Sequence, residues 1–254
     1  MTTAIIGTGN IGGQVARHLV AGGEQVVLAA RDESHAAALA NELGPLASAA
    51  SVRQAIAGAD VVVLAVWLDT TKELIAENGD LLHGKVVVDP SNPIQLDGKG
   101  GFSRTLPEGQ SRRVRDRGSS PRRRSSREGF CTLGAEALAS SANRKPRPAA
   151  LFYATDDEGA AATVERLITT AGFDAVKAGG LSDATRIEVA GDLHQYGGLN
   201  GNVLDSDEAQ AAVAVGRSGC VPTALQLTND GHGLQPKVQS TVTLSRALSR
   251  TASS

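Results

Sequence analysis

Aromatic residues make up 3% of this 254-residue chain, tryptophan occurs once and cysteine twice. With so few rings, the core has to come from Ala, Val, Leu and Ile, within a hydrophobic share of 41% that is ordinary for a globular protein. Cys131 and Cys220 lie far apart and neither belongs to a CxxC pair, so neither a disulfide framework nor a zinc signature is suggested. No apolar run reaches membrane-spanning length, and the longest candidate, ADVVVLAV at residues 59–66, reads as a strand. The opening TTAIIGTG lacks the charged-then-apolar pattern of a secretory leader. A cytoplasmic protein without a membrane partner is the expectation.

The net charge of −2 hides an uneven distribution. Residues 111–128, SRRVRDRGSSPRRRSSRE, carry eight arginines against Asp116 and Glu128, a local charge of about +6 that leaves about −8 for the remainder. An acidic body argues against the spread basic face of a nucleic-acid protein, so no nucleic-acid partner is expected. The run has one valine and no leucine, isoleucine or methionine, and is therefore expected to be irregular and exposed.

Elsewhere the chain alternates regularly. TAIIGTG reads as a strand and NIGGQVARHLVAGG as a helix with Ile11, Val15 and Leu19 on one stripe. QVVLAAR is a second strand. DESHAAALANELG is a second helix, with Asp32 placed to cap it and Glu33 in its first turn, where the helix dipole favours acids. Then follow ASVRQAIAGA (helix), DVVVLAVW (strand), TKELIAENGDLL (helix) and KVVVDPSNP (strand and turn). Val-rich strands separated by helices of about ten residues or more mean βαβ units and a doubly wound, mostly parallel sheet. Beyond the arginine run, RPAALFYATDD (strand), EGAAATVERLITTAGF (helix burying Val164, Leu167 and Ile168) and DAVKAGG (strand) extend the same sheet. LSDATRIEVAGDLHQYGGLNG is helical or irregular, and DSDEAQAAVAV is a short helix. Residues 1–215 are thus expected to form one α/β domain. Residues 216–254, dominated by Ser, Thr and Gly, are expected to be a disordered low-complexity tail.

GTGNIGG places Gly7, Gly9 and Gly12 in G-x-G-x-x-G spacing, after the first strand and opening the first helix. In that context the pattern indicates dinucleotide binding in a Rossmann-type domain. Gly7 permits the tight turn, Gly9 lets the backbone approach a pyrophosphate, and Gly12 allows close packing of helix on strand. The helix N-terminus offers its free N–H groups to the anion. An NAD site usually has an acid at the end of the second strand; here Arg31 stands there, 19 residues after Gly12. A guanidinium suits a 2′-phosphate, so NADP is expected, with Ala30 and His35 lining the same pocket. The ends of later strands complete the crevice. Val66 and Trp67 stand on one side, Trp67 more as a hydrophobic plug than as a ligand platform. Asn92 and Pro93 lie beside the nicotinamide, Asn92 binding a carboxamide or merely fixing the turn.

Four segments together, GTGNIGG, AAR, DPSNP and FCTLGAE, resemble the NADPH-dependent deazaflavin (coenzyme F420) reductases and the small NADP-binding oxidoreductases related to them. The resemblance covers roughly residues 1–110 and 129–215. It implies pyrophosphate binding by Thr8, Gly9, Asn10 and Ile11, 2′-phosphate binding by Ala30 and Arg31, and a nicotinamide bordered by Phe130, Thr132 and Leu133. It further implies hydride transfer between NADP(H) and a deazaflavin coenzyme or a small acceptor. Such a transfer rests on orientation more than on acid–base groups. No nucleophilic triad, metal cluster or paired carboxylate stands out, and the catalytic residues are unknown. His194 and Tyr196 are weak proton-donor candidates, a lone histidine in such a place being more often structural. A non-catalytic NADP-sensing protein is the alternative, and a homodimer is left open.

In that family the segment before Phe130 is a helix and strand, which the arginine run replaces. A chain rich in Ala, Gly, Arg and Pro suggests a G+C-rich gene, and reading such a gene out of frame gives Arg, Ser, Gly and Pro. Two compensating frameshifts, near Gln110 and Glu128, are therefore the favoured reading, and a natural basic loop is the alternative. A similar shift after about Val215 would account for the tail, and resequencing the gene tests them.

Overall fold

The computed structural model describes residues 1–96, 101–105, 125–215, 226–229 and 234–237. The first half follows the expected alternation. In order come β1 (Thr2–Ile6), α1 (Asn10–Ala21), β2 (Gln25–Ala29), α2 (Glu33–Leu43), β3 (Ala47–Ala49), α3 (Val52–Gly58), β4 (Val61–Leu64), α4 (Leu68–Asn78) and β5 (Val86–Asp89). Two short strands, β6 (Ile94–Leu96) and β7 (Gly101–Arg104), lead to β8 (Ser125–Glu128). The second half holds α5 (Ala135–Ser140), β9 (Ala150–Ala154), α6 (Glu158–Thr170), β10 (Asp174–Gly179), a 3₁₀ turn (Leu181–Asp183), α7 (Ala184–Ile187) and α8 (Ser206–Val215). Strands β11 (Gln226–Asn229) and β12 (Leu234–Lys237) complete the described elements.

Eight strands form one sheet in the order β10-β9-β8-β5-β4-β1-β2-β3. All pair in parallel except β8 with β9, whose single partnership, Glu128 with Ala154, is antiparallel. The sheet reverses direction there, and β9 and β10 run as an extension of it, as the sequence led us to expect. A second, antiparallel sheet has the order β12-β11-β7-β6.

Local chemistry explains the elements near the crevice. Every residue of β4, VVVL, is buried, which is the pattern of a central parallel strand covered on both faces. Helix α1 buries Val15, Ala16 and Leu19, while Ile11 is half-buried at its first turn. Helix α2 starts at the Asp32 cap, whose Oδ1 accepts from the Ser34 N–H at 3.0 Å. A reciprocal pair of Ser51 and Gln54 opens α3, and Asp157 opens α6 by accepting from the Ala160 N–H at 3.2 Å. Val164, Leu167 and Ile168 are fully buried, as the stripe predicts. One core face joins α1, α2 and α6 to the sheet and takes in Phe130, Tyr153 and Phe173; the other lies beneath α3 and is all aliphatic, built around Ile56, Leu64 and Leu82.

Three expectations need correction. Residues 125–128, the end of the arginine run, were expected to be irregular; they form β8, which fills the place between β5 and β9, so the sheet lacks no central strand there. The rest of the run, residues 106–124, lies outside the described residues. Within residues 216–254, expected to be a disordered low-complexity tail, two short strands β11 and β12 are described and β11 pairs with β7; the remainder of that tail is outside the described residues. Strand β3, with the sequence ASA, was not anticipated, because two alanines and a serine carry no periodic signal.

Candidate dinucleotide site

The glycine loop joins β1 to α1, and its three glycines are there for different reasons. Gly7 has φ +101°, and its N–H donates to the Ala29 carbonyl at 2.7 Å, pinning the ends of β1 and β2 together. A Cβ on Gly7 would stand 2.3 Å from the Ala65 carbonyl oxygen, and one on Gly12 would stand 1.9 Å from the Gly7 carbonyl oxygen. Packing therefore demands both. Gly9 differs: its φ is −75° and nothing lies within 4 Å of an added Cβ. Within the protein a glycine there serves only as the N-cap of α1, and the open space beside it leaves the backbone accessible to a ligand.

Helix α1 begins at Gly9 with no side-chain cap, and its first intrahelical bond runs from the Gly13 N–H to the Gly9 carbonyl, 2.8 Å. The N–H groups of the preceding turn have no acceptor within the helix. With the dipole behind them they form an anion cradle open to solvent. The chain thus fits a pyrophosphate at Thr8, Gly9, Asn10 and Ile11.

At the end of β2, Ala30 is half-buried and Arg31 and His35 are exposed. The nearest acid, Asp32, is committed elsewhere. Its Oδ1 accepts from both the N–H and the hydroxyl of Ser34, the latter at 2.6 Å, and His35 Nε2 lies 3.8 Å from its Oδ2. The Ser34 hydrogen bonds hold the Asp32 carboxyl below its usual range. A carboxylate turned into its own helix cap is poorly placed to receive a ribose 2′-hydroxyl. A groove of about 520 Å³ runs between α1 and α2 beside the loop, lined among others by Thr8, Asn10, Arg17, His35 and Glu42.

Across the crevice, Val66 packs on the loop: its Cγ1 is 2.8 Å from where a Gly7 Cβ would be. Trp67 is not the buried hydrophobic plug expected at this side of the crevice. It is 53% exposed and caps the start of α4, so its ring faces outward, where its β4 companions Val61 to Leu64 are wholly buried. Asn92 is used by the protein itself. Its Nδ2 donates to the Cys131 carbonyl at 3.1 Å and its Oδ1 accepts from the Val189 N–H at 2.8 Å, tying three separate segments together beside the buried Pro93. Of the two roles open to it, fixing local structure is the one its hydrogen bonds serve.

The segment after β8 is more deeply set than a cofactor border would require. Phe130 is fully buried at φ +61°, a strained conformation for a bulky residue, and Leu133 is 4% exposed. Thr132 is buried with its Oγ1 lacking a hydrogen-bond partner. Gln195, which sequence reasoning missed, clamps this segment: its N–H donates to the Thr132 carbonyl at 2.9 Å and its Oε1 accepts from the Gly134 N–H at 2.8 Å. His194 is 1% exposed, and its Nδ1 accepts from the Tyr196 N–H at 2.9 Å. Burial lowers its pKa to about 4 against a hydrogen bond with the Cys131 backbone, so near pH 7 the ring is neutral rather than an imidazolium acid. Tyr196 is buried against Gly134, where its hydroxyl oxygen would be 2.1 Å from an added Cβ. Burial, and then Glu136, push its phenol pKa up. Both weak donor candidates are built into the packing.

Fold and loop together define a Rossmann-type dinucleotide-binding domain. Residues 2–93 match the family of NADP oxidoreductases described as coenzyme F420-dependent, and over that stretch the resemblance read from the sequence holds. No curated protein matches the chain in sequence. Among solved structures, a hypothetical protein from Sinorhizobium meliloti is similar at 26% identity and TM-score 0.65, over 82% of this chain and 96% of that one. A protein from Arthrobacter sp. FB24 that carries the name F420-dependent NADP reductase is 22% identical, TM-score 0.61, over 72% and 86% of the two chains. A reductive aminase from Aspergillus terreus, solved with NADPH and ethyl levulinate, is 18% identical, TM-score 0.51, over 72% of this chain and 55% of its own. At those last two identities the likeness is one of fold. No helix among the described residues is long and apolar enough to cross a membrane.

Proposed function

We propose that residues 1–215 act as one NADP(H)-dependent oxidoreductase domain, moving a hydride between NADPH and a small acceptor. A deazaflavin of the coenzyme F420 type is the acceptor that the family match supports. The observation that carries the reading is the loop: two glycines that packing requires frame a third that leaves the backbone open to a ligand, above helix N–H groups without a side-chain cap. The choice of NADP rests on Arg31 being exposed while Asp32 is spent on capping α2.

In this reading the backbone at Thr8, Gly9, Asn10 and Ile11 binds the pyrophosphate, and Ala30, Arg31 and His35 receive the 2′-phosphate. Val66, Trp67, Pro93, Thr132 and Leu133 shape the nicotinamide half, with Asn92 and Gln195 holding its backbone in place. The exposed face of Trp67 offers a platform for a flat ring. When bound, the nicotinamide supplies the redox chemistry, and the chain contributes orientation and exclusion of water. Titrating the purified protein with NADPH and NADH, then measuring NADPH oxidation with oxidised coenzyme F420 and with small imines and carbonyls, tests the reading. Saturable, NADPH-preferring binding and turnover with one of these acceptors are expected.

A non-catalytic NADP sensor is favoured by one observation, the lack of an available proton donor at His194 and Tyr196. Tight NADPH binding with no turnover on any acceptor would decide for it.

A further inference from the structure

The geometry points to Arg17 as a second cation for the 2′-phosphate, standing in the groove between α1 and α2 and held there by Glu42. This rests on the NADP reading above.

The groove connects the phosphate loop to Arg17. Thr8 and Asn10 line its upper end, His35 its α2 side, and Arg17 and Glu42 its lower end, over the side chain of Leu39. Arg17 points toward the loop from one helical turn below it, since helix side chains lean toward the N-terminus. Its Nη1 donates to the Gly13 carbonyl at 3.3 Å, and its Nη2 meets both carboxylate oxygens of Glu42 at 2.8 Å. These contacts use at most three of the five guanidinium N–H groups. An atom added at Gly13 would lie 3.4 Å from Arg17 Nη1 and 3.5 Å from the Thr8 carbonyl oxygen. The bare residue therefore leaves the guanidinium and the loop on opposite sides of one small gap, within the groove that His35 also lines.

The charges suit a phosphate dianion only because Arg17 is there. Arg31 does not line this groove, so Arg17 is the groove's own fixed positive charge, and Glu42 beside it would otherwise repel an anion. Paired with Glu42, Arg17 cancels that repulsion and keeps donors for the ligand, and its delocalised fork matches phosphate oxygens. The competing account is a plain surface clasp between two helices; Arg17 and Glu42 side chains are 39% and 57% exposed, and such pairs contribute little to stability.

The test uses the whole chain, titrated with NADPH, NADH, 2′,5′-ADP and 5′-AMP. Arg17→Met keeps the stem that packs along α1. It is expected to weaken NADPH and 2′,5′-ADP by about tenfold, the size of one charge-assisted contact, and to leave NADH and 5′-AMP unchanged. Arg17→Lys should recover part of the loss. Glu42→Gln, which removes the repelling carboxylate and frees Arg17, should tighten 2′,5′-ADP. Weakening of all four ligands alike by Arg17→Met, or a wild-type ratio of NADPH to NADH affinity in that variant, overturns the inference while the cofactor reading stands. A wild-type protein that binds NADH as tightly as NADPH overturns the cofactor reading and the inference with it.

Discussion

Replacing Gly9 and Gly12 by alanine, one at a time, separates what the fold needs from what the ligand needs. An alanine at 12 puts a methyl 1.9 Å from the Gly7 carbonyl oxygen and 2.9 Å from the Ala65 Cβ. Both neighbours are fixed by the backbone, so the loop or α1 must shift, at a cost of about 1–3 kcal/mol or more. In a domain of this size, that is a fall in Tm of several degrees. An alanine at 9 meets nothing within 4 Å, and φ of −75° suits it. Losing glycine at a helix N-cap costs about 0.5–1 kcal/mol, and the stiffer unfolded chain returns about 0.4–1 kcal/mol, so stability should change little. Its methyl nevertheless stands where the pyrophosphate must approach. Thermal melts give the stability. The fluorescence of Trp67, the sole tryptophan, gives NADPH binding in the same sample. The expected pattern is a Gly12→Ala protein that is destabilised and a Gly9→Ala protein that melts like wild type but binds NADPH at least about tenfold more weakly. If Gly9→Ala binds NADPH normally, or melts as low as Gly12→Ala, the argument from the loop is refuted.

Arg31→Ala should weaken NADPH by about 10- to 100-fold, worth about 1.5–3 kcal/mol for a charged hydrogen bond, and leave NADH unaffected in the same titration. Glu24 is 6% exposed and joins β1 to α6 by accepting from the Thr3 hydroxyl at 2.8 Å and from Arg166 at 2.6 Å and 3.1 Å. Burial pushes its pKa up, but the hydrogen bonds from Arg166 and Thr3 outweigh that and leave it lowered. Its contribution is therefore present above the ordinary glutamate pKa and lost as pH falls through the lower folded value. Glu24→Gln should cost about 2 kcal/mol in urea unfolding near pH 7, less than a fully buried pair because Arg166 is partly in water, with a smaller deficit in acid. His194 acts over a higher window: the unfolded ring takes a proton at about pH 6.5 that the folded ring refuses until about pH 4. Up to about 3 kcal/mol of stability should be lost as pH falls between those values, and His194→Gln should flatten that slope. Asn92→Ala, which leaves the Cys131 carbonyl and the Val189 N–H without their side-chain partner, should cost about 1–3 kcal/mol and lower turnover more than NADPH affinity.

What could be read from the sequence follows from the range of the forces involved. Helices α1, α2 and α6 and strands β1, β2, β4, β5, β9 and β10 announce themselves through apolar periodicity and capping residues such as Asp32. Their order fixes a doubly wound sheet. Strands β3 and β8 do not, because ASA and SSRE have no apolar signal and are ordered by their neighbours. The loop was legible because its chemistry is local, three glycines within six residues. Gln195 was not, and Asn92 was placed at the site without its partners, since those partners lie 61 and 97 residues away and only the fold brings them together. Trp67 misled for a related reason: it was read as a hydrophobic plug at one side of the crevice, but three positions beyond the end of β4, at the start of α4, it is exposed.

The most direct test is the pair of equilibrium titrations of the wild-type protein with NADPH and with NADH, followed through Trp67. Saturable NADPH binding, with NADH at least about tenfold weaker, is the expected result. Equal affinities would contradict the assignment of Arg31 to a 2′-phosphate, and no binding of either would contradict the dinucleotide site itself.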